Sequence, residues 1–129
     1  MMSCKIGITG PESSGKTTLA NSLGLFYKCP VVKEFSRDYL NALTRKYKYL
    51  DLLQIAKGQR KLELQTEKKH KLIICDTTLE TIKIWSLEKF NKCDEWLLTQ
   101  PSNYTHYLLC DPNIPWEPDP LRENPLDRN

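Results

Sequence analysis

The chain of 129 residues is poor in the groups that build metal centres and covalent cross-links: two histidines, and five cysteines (Cys4, Cys29, Cys75, Cys93, Cys110) with no C-x-x-C pair. An odd cysteine count without paired spacing indicates neither a disulfide framework nor a zinc site. Cys75 and Cys110 close apolar runs, so reduced and mostly buried thiols are expected. Long apolar stretches are also lacking, none approaching the roughly 18 residues of a membrane span. The opening MMSCKIGITG has no basic start, extended apolar core or small-residue cleavage site, so no signal peptide is read there. These absences predict a cytoplasmic chain with no membrane partner. Charge of one sign is scarce too: 19 Lys and Arg face 16 Asp and Glu, a formal net charge of +3. KYKYL and EKKHK therefore read as solvated helix surface, and no nucleic-acid partner is indicated. What remains is 40% apolar and 27% charged residues without an internal repeat, which predicts one globular domain over residues 1–129.

Strand and helix signals alternate along the chain. CKIGIT (4–9) is short, partly β-branched and bounded by Gly10-Pro11, as a buried parallel strand is. From Gly15, Leu19, Leu23 and Phe26 recur at helical spacing until Cys29-Pro30. VVKEF (31–35) predicts a second strand, after which Ser36 is expected to cap a helix carrying Tyr39, Leu40 and Leu43. Residues 50–69 read as one long helix in which Gly58 suggests a closely approaching neighbour. KLIICD (71–76) is a third strand closed by an aspartate, followed by a helix through Leu79, Ile82, Trp85 and Phe90. THYLLC (105–110) is a fourth strand, and the proline-rich residues 116–129 read as a loop or lid. The alternation predicts an α/β layer fold with a parallel sheet.

Residues 10–17 read G-P-E-S-S-G-K-T, filling every fixed position of G-x-x-x-x-G-K-[ST] between the strand and the helix that such a loop requires. Its glycines let backbone N–H groups turn inward around phosphate oxygens, and the helix behind adds the positive end of its dipole. Gly10, Glu12, Ser13, Ser14, Gly15, Lys16, Thr17 and Thr18 form the predicted nucleotide-binding set, with Lys16 on the terminal phosphates and the Thr17 hydroxyl on Mg²⁺. Asp76, at a strand's carboxyl end, suits a carboxylate behind that metal, and it also suits a helix N-cap. Glu34 lies on the same rim with Arg37 one turn on; alone, the pair would be a surface ion pair worth about 0–1 kcal/mol. NKCD (91–94) imitates a guanine-reading motif but follows a helical segment, and the residue after Asp76 is not glycine, so the GTPase reading is set aside.

Several segments together resemble the nicotinamide riboside kinase domain of NadR-type proteins, within the P-loop kinase group. They are GPESSGKTTLA (10–20), VVKEFSRDYL (31–40), DLLQIAKGQ (51–59), LIICDTTLETIKIWS (72–86), CDEWL (93–97) and YLLCDPNIPWEPDPLR (107–122). The resemblance implies a three-layer P-loop NTPase fold with strand order 2-3-1-4-5, ATP and Mg²⁺ as cofactors, and transfer to the 5′-hydroxyl of nicotinamide riboside. It puts Lys16, Glu34, Asp76 and Arg122 in catalysis, with either Glu34 or Asp76 taking the hydroxyl proton. It further implies Arg37, Trp85, Trp116 and Asp119 on the acceptor side, and Arg122 and Arg128 in a lid over the phosphates. A core position at helical spacing is the equal alternative for Trp85.

Three departures from the family pattern shape the expectations. Thr78 stands where the family carries a second aspartate, and Pro120 where its lid carries a glycine. Only four strands are read, and the chain stops at Asn129 where a fifth strand is expected, so a C-terminally truncated domain is the reading. The acceptor alternatives are another nucleoside or small hydroxyl compound; a nucleotide sensor without transfer is the alternative of another class. A homo-oligomer is compatible with all three.

Overall fold

A computed structural model of the chain describes residues 4–10, 15–101 and 103–110. Its elements run in the order β1 (Cys4–Thr9), α1 (Lys16–Tyr27), β2 (Val31–Val32), α2 (Phe35–Ala42), α3 (Tyr49–Glu67), β3 (Leu72–Asp76), α4 (Leu79–Phe90), α5 (Glu95–Thr99) and β4 (His106–Leu109). The four strands pair in parallel in the order β2-β3-β1-β4. This is the predicted P-loop-type α/β fold, and among the described residues the sheet ends at β4 without a fifth strand.

The two-residue period of the strands sorts side chains between two helical layers. Ile8 and Ile74 face α1, where they meet Ala20, Leu19 and Leu23. Val32, Ile73 and Cys75 face the opposite layer, with Tyr104 and Leu62. Beyond that layer Leu52, Ile55 and Ala56 of α3 pack with Leu79 and Ile82 of α4 and Leu97 of α5. A sheet covered on both faces explains why its central strands read as near-continuous apolar runs. Cys75 and Cys110 are buried as expected, and Cys4, Cys29 and Cys93 are half-buried free thiols. No described helix is long and apolar enough to cross a membrane.

Two expectations about β2 and α2 are corrected. The strand stops at Val32, because only Val31 and Val32 find partners, Ile74 and Cys75, on β3. The next free backbone donor, the N–H of Phe35, goes instead to the side-chain Oε1 of Gln59 on α3 at 2.9 Å, and the helix starts there with Glu34 as its N-cap. Ser36 is inside the helix, buried, and its hydroxyl donates to Glu34 Oε1 at 2.8 Å rather than capping the helix. The suspicion about Gly58 holds: the Phe35 ring lies where a Cβ would be, 2.2 Å from its position, so only glycine lets α2 begin so close to α3. NKCD is connector chemistry. Asn91 ends α4 in a left-handed conformation (φ 59°), and Asp94 caps α5 by accepting from Trp96 N at 2.9 Å.

Asp51 organises the start of α3. Its carboxylate accepts from Lys48 N (2.6 Å), the Tyr39 hydroxyl (2.7 Å) and both terminal nitrogens of Arg45 (2.7 and 3.1 Å), tying α2, the following loop and α3 together. The bonds from Arg45, then those from Tyr39 and Lys48, hold its carboxyl well below the ordinary value against the opposing effect of burial. A depressed folded-state pKa gives stability that is fully present above the unfolded value, about 3.9 for an aspartate, and is lost as pH falls through the folded value. Asp51→Asn is therefore expected to lower the thermal midpoint at pH 7 by roughly 4 °C or more. The gap to wild type should close as pH drops below about 4. Thermal melts of both proteins from pH 7 to pH 2 check this, and a gap that does not narrow on acidification removes the assignment.

Candidate nucleotide and phosphoryl-transfer site

The carboxyl ends of β1, β2 and β3 share one edge of the sheet, the place where open parallel sheets bind ligands. β1 leads into the phosphate-loop motif. Gly10 (φ 144°) and Gly15 (φ 88°, ψ 17°) both have backbone conformations that side chains resist, so the two glycines of the motif stand where the chain must turn. Gly15 is the N-cap of α1, and the helix's first turn carries no acidic residue, leaving its positive end without an anionic side chain of its own. Lys16 Nζ donates to the Gly10 carbonyl at 3.0 Å, bringing the ammonium back to the residue that follows β1. Thr17 and Thr18 are exposed on the first turn of α1. Glu12, Ser13 and Ser14 lie outside the described residues.

The Thr17 hydroxyl donates to Asp76 Oδ2 at 2.7 Å, joining the loop helix to the end of β3. Asp76 is 3% exposed, and its second oxygen, Oδ1, has no hydrogen-bond partner among the described residues. Burial pushes its carboxyl above the ordinary value; the Thr17 hydroxyl opposes this, the Glu34 charge adds to it, and the charges of Lys16 and Arg37 oppose it. Five predicted residues are thus brought together at one edge: Lys16, Thr17, Glu34, Arg37 and Asp76. Asp76 is not the cap of α4, since that position is Thr78. A buried carboxylate with an unused oxygen, bonded to a hydroxyl, is a hard oxygen donor set, and it fits Mg²⁺ held through Thr17 and Asp76.

On the acceptor side Glu34 is half-buried as the N-cap of α2, and Arg37 is exposed on its first turn. Trp85 lies one layer down: its indole N–H donates to the Tyr47 hydroxyl at 3.0 Å, the two rings meet edge to face at 5.2 Å, and it packs against the α3–α4–α5 core. Trp116, Asp119, Arg122 and Arg128, with the whole of the predicted lid 116–129, lie outside the described residues.

Two site residues escaped the sequence reading of individual roles. Gln59 fixes the backbone next to Glu34 through Phe35 N, and its own Nε2 is buried without a partner among the described residues. The I-A-x-G-Q segment carried the only signal for it. Thr77 follows Asp76 with φ 84°, buried at 4% exposure. A left-handed conformation is an outlier for a β-branched residue and costs on the order of 1–3 kcal/mol. Nothing in a threonine's neighbours announces it.

Residues 5–129 match the family model AAA_28, described as an AAA domain.

Proposed function

The chain belongs to this AAA-domain family, whose members are P-loop nucleotide-binding domains, and on that premise we propose that it is an ATP- and Mg²⁺-dependent kinase phosphorylating the 5′-hydroxyl of nicotinamide riboside. The observation that carries the kinase reading is the arrangement around Asp76. One carboxylate, bonded to the phosphate-loop hydroxyl of Thr17 at 2.7 Å, faces a second carboxylate, Glu34, close enough for its charge to act on the first. The two carboxylates, one at the end of β3 and one at the head of α2, divide into a metal-side group and a proton-accepting group; burial first, with the Glu34 charge adding to it, raises the Asp76 carboxyl. The acceptor itself rests on the resemblance of VVKEFSRDYL, DLLQIAKGQ and LIICDTTLETIKIWS to nicotinamide riboside kinase domains.

In this reading the loop N–H groups and Lys16 hold the triphosphate. Thr17 and Asp76 would hold a magnesium ion, which would supply neutralising charge to the phosphate oxygens. Glu34, fixed by its place at the head of α2, orients the acceptor hydroxyl and takes its proton as the oxygen bonds to the terminal phosphorus and the bond to the bridging oxygen breaks. Asp76, with one oxygen already bonded to Thr17, stays on the metal side. Trp116 is the aromatic face for a pyridinium cation, an attraction of about 0.5–2 kcal/mol, and Arg37 and Asp119 are assigned with it to the acceptor; Trp85, packed in the α3–α4–α5 core, is left to the fold. Arg122 and Arg128 close over the phosphates and offset their charge. Little covalent chemistry is asked of the protein, so positioning and charge carry the rate.

The test is incubation with ATP, Mg²⁺ and a panel of nucleosides, with products read by mass. Phosphorylation of nicotinamide riboside ahead of the other nucleosides is expected. Turnover of a different nucleoside only would keep the kinase and change its acceptor, and ATP binding with no transfer at all would sink the kinase in favour of a nucleotide sensor.

A further inference from the structure

Thr77 spends nothing of its side chain on the fold. Its Oγ1 is buried with no hydrogen-bond partner among the described residues, although a threonine hydroxyl readily bonds to nearby backbone. The hydroxyls around it are engaged: Thr81 Oγ1 is 3.3 Å from Thr78 Oγ1 and 3.1 Å from Thr9 Oγ1, and the first free N–H of α4, on Leu79, is served by the Tyr104 hydroxyl at 3.1 Å. Its backbone is pinned, since Thr77 N donates to the carbonyl of Ile8 at 3.0 Å. That carbonyl lies on β1 two residues before Gly10, whose own carbonyl holds Lys16 Nζ. A strained residue with a buried, unpaired hydroxyl therefore follows Asp76 directly, its backbone held by the strand that feeds the phosphate loop. Backbone outliers and unsatisfied buried groups of this kind gather at ligand clamps, where the ligand supplies the missing partner.

We propose that the Thr77 hydroxyl binds the terminal phosphate of a nucleoside triphosphate, donating its O–H to a γ-phosphate oxygen. The inference rests on the nucleotide-binding reading of the loop and adds to it a group that distinguishes triphosphate from diphosphate. A phosphate oxygen only accepts hydrogen bonds, and a hydroxyl with no other partner gives up nothing in turning to it. A diphosphate leaves the same hydroxyl unpaired, so the contact is made in one nucleotide state and absent in the other.

The experiment is isothermal titration of the chain in Mg²⁺ with ADP and with an ATP analogue whose β–γ bridge is nitrogen. Wild type is expected to bind the triphosphate analogue more tightly than ADP, and Thr77→Ser, which keeps the hydroxyl, to preserve that ratio. Thr77→Val and Thr77→Gly should each shrink it about tenfold through the triphosphate arm alone, the loss expected for one hydrogen bond to a charged group. Thr77→Gly relieves the left-handed strain that Thr77→Val keeps, so its thermal midpoint should rise and it remains usable should the valine variant fail to fold. An unchanged ratio in Thr77→Gly overturns the inference, as does equal weakening of ADP and the analogue. Wild type that binds no nucleotide removes the phosphate-loop reading and this inference with it. The predicted ratio change in a protein that phosphorylates no nucleoside would uphold the inference and remove only the kinase.

Discussion

Lys16→Ala is expected to lower phosphoryl-transfer or nucleotidase turnover by about 10²- to 10³-fold, the range found for removal of one preorganised charge-stabilising donor. The expected loss follows from where the ammonium sits. With Nζ 3.0 Å from the Gly10 carbonyl it is already held by a backbone oxygen of the motif, so it has only to exchange one oxygen for another when phosphates arrive. Little reorganisation is needed at the moment of reaction. The fold should be indifferent to the change: Lys16 is half-buried at the first turn of α1, and water replaces its hydrogen bond to Gly10. Turnover, nucleotide affinity and thermal midpoint measured on the same preparation check the point. A Lys16→Ala protein with more than about a tenth of wild-type turnover would remove Lys16 from the charge-neutralising role. Arginine is not expected to rescue, since its planar fork is not the compact point charge of an ammonium.

How much of this was legible in the chain depends on the range of the interaction. β1, α1, β3 and α4 were readable because apolar runs and helical spacing are local, and the phosphate-loop motif carried its own confirmation in the strand and helix around it. The place of Asp76 was readable for the same reason, since it closes a buried run at a strand's carboxyl end. β2 was overextended because Lys33, Glu34 and Phe35 have strand-like neighbours, and only the partner chain segment decides that pairing stops at Val32. Ser36 looked like a cap from its residue type. The Gln59 carboxamide, 24 residues away, takes the N–H of Phe35, and the helix starts two residues earlier, with Glu34 as its cap. Thr77 was invisible, because no local rule puts a β-branched residue at positive φ. Lys5 was passed over: it sits inside the apolar run of β1 and is 2% exposed. Its partners, Glu63 and Glu67, are on α3, so nothing within ten residues of it could have shown that the charge is buried.

That buried charge leads to the largest expected effect on stability. Lys5 Nζ donates to Glu63 Oε1 at 3.1 Å and Glu67 Oε1 at 2.7 Å, and lies 4.6 Å from the centre of the Tyr104 ring. Glu63 is 0% exposed; its other oxygen accepts from the Tyr104 hydroxyl at 2.6 Å, and Arg60 stands 3.6 Å from Oε1. Burial, with the charge of Glu63 next, pushes the Tyr104 hydroxyl far above its ordinary value, so it remains a neutral donor. Removing Lys5 alone leaves a carboxylate in the core with too little positive charge. Lys5→Met is therefore expected to cost about 3–5 kcal/mol, the usual penalty for breaking a buried pair from one side. Set against a total stability of about 5–15 kcal/mol for a domain, that is a large share. Lys5→Met combined with Glu63→Gln should recover most of the loss, since the amide oxygen still accepts from Tyr104, the fully buried carboxylate is gone, and Glu67 and Arg60 leave one charge of each sign. Urea denaturation of the single and double variants measures both, and a double variant no more stable than Lys5→Met would refute a charge-balance origin. The network also bears on the site, because the Tyr104 hydroxyl that it orients is the acceptor for Leu79 N at 3.1 Å, three residues after Asp76. Charge balance beneath the sheet therefore fixes where the Asp76–Thr77–Thr78 turn ends and α4 begins. Folded Lys5→Met protein, assayed well below its melting temperature, should accordingly bind nucleotide with Asp76 less well placed, a loss that the double variant restores together with stability.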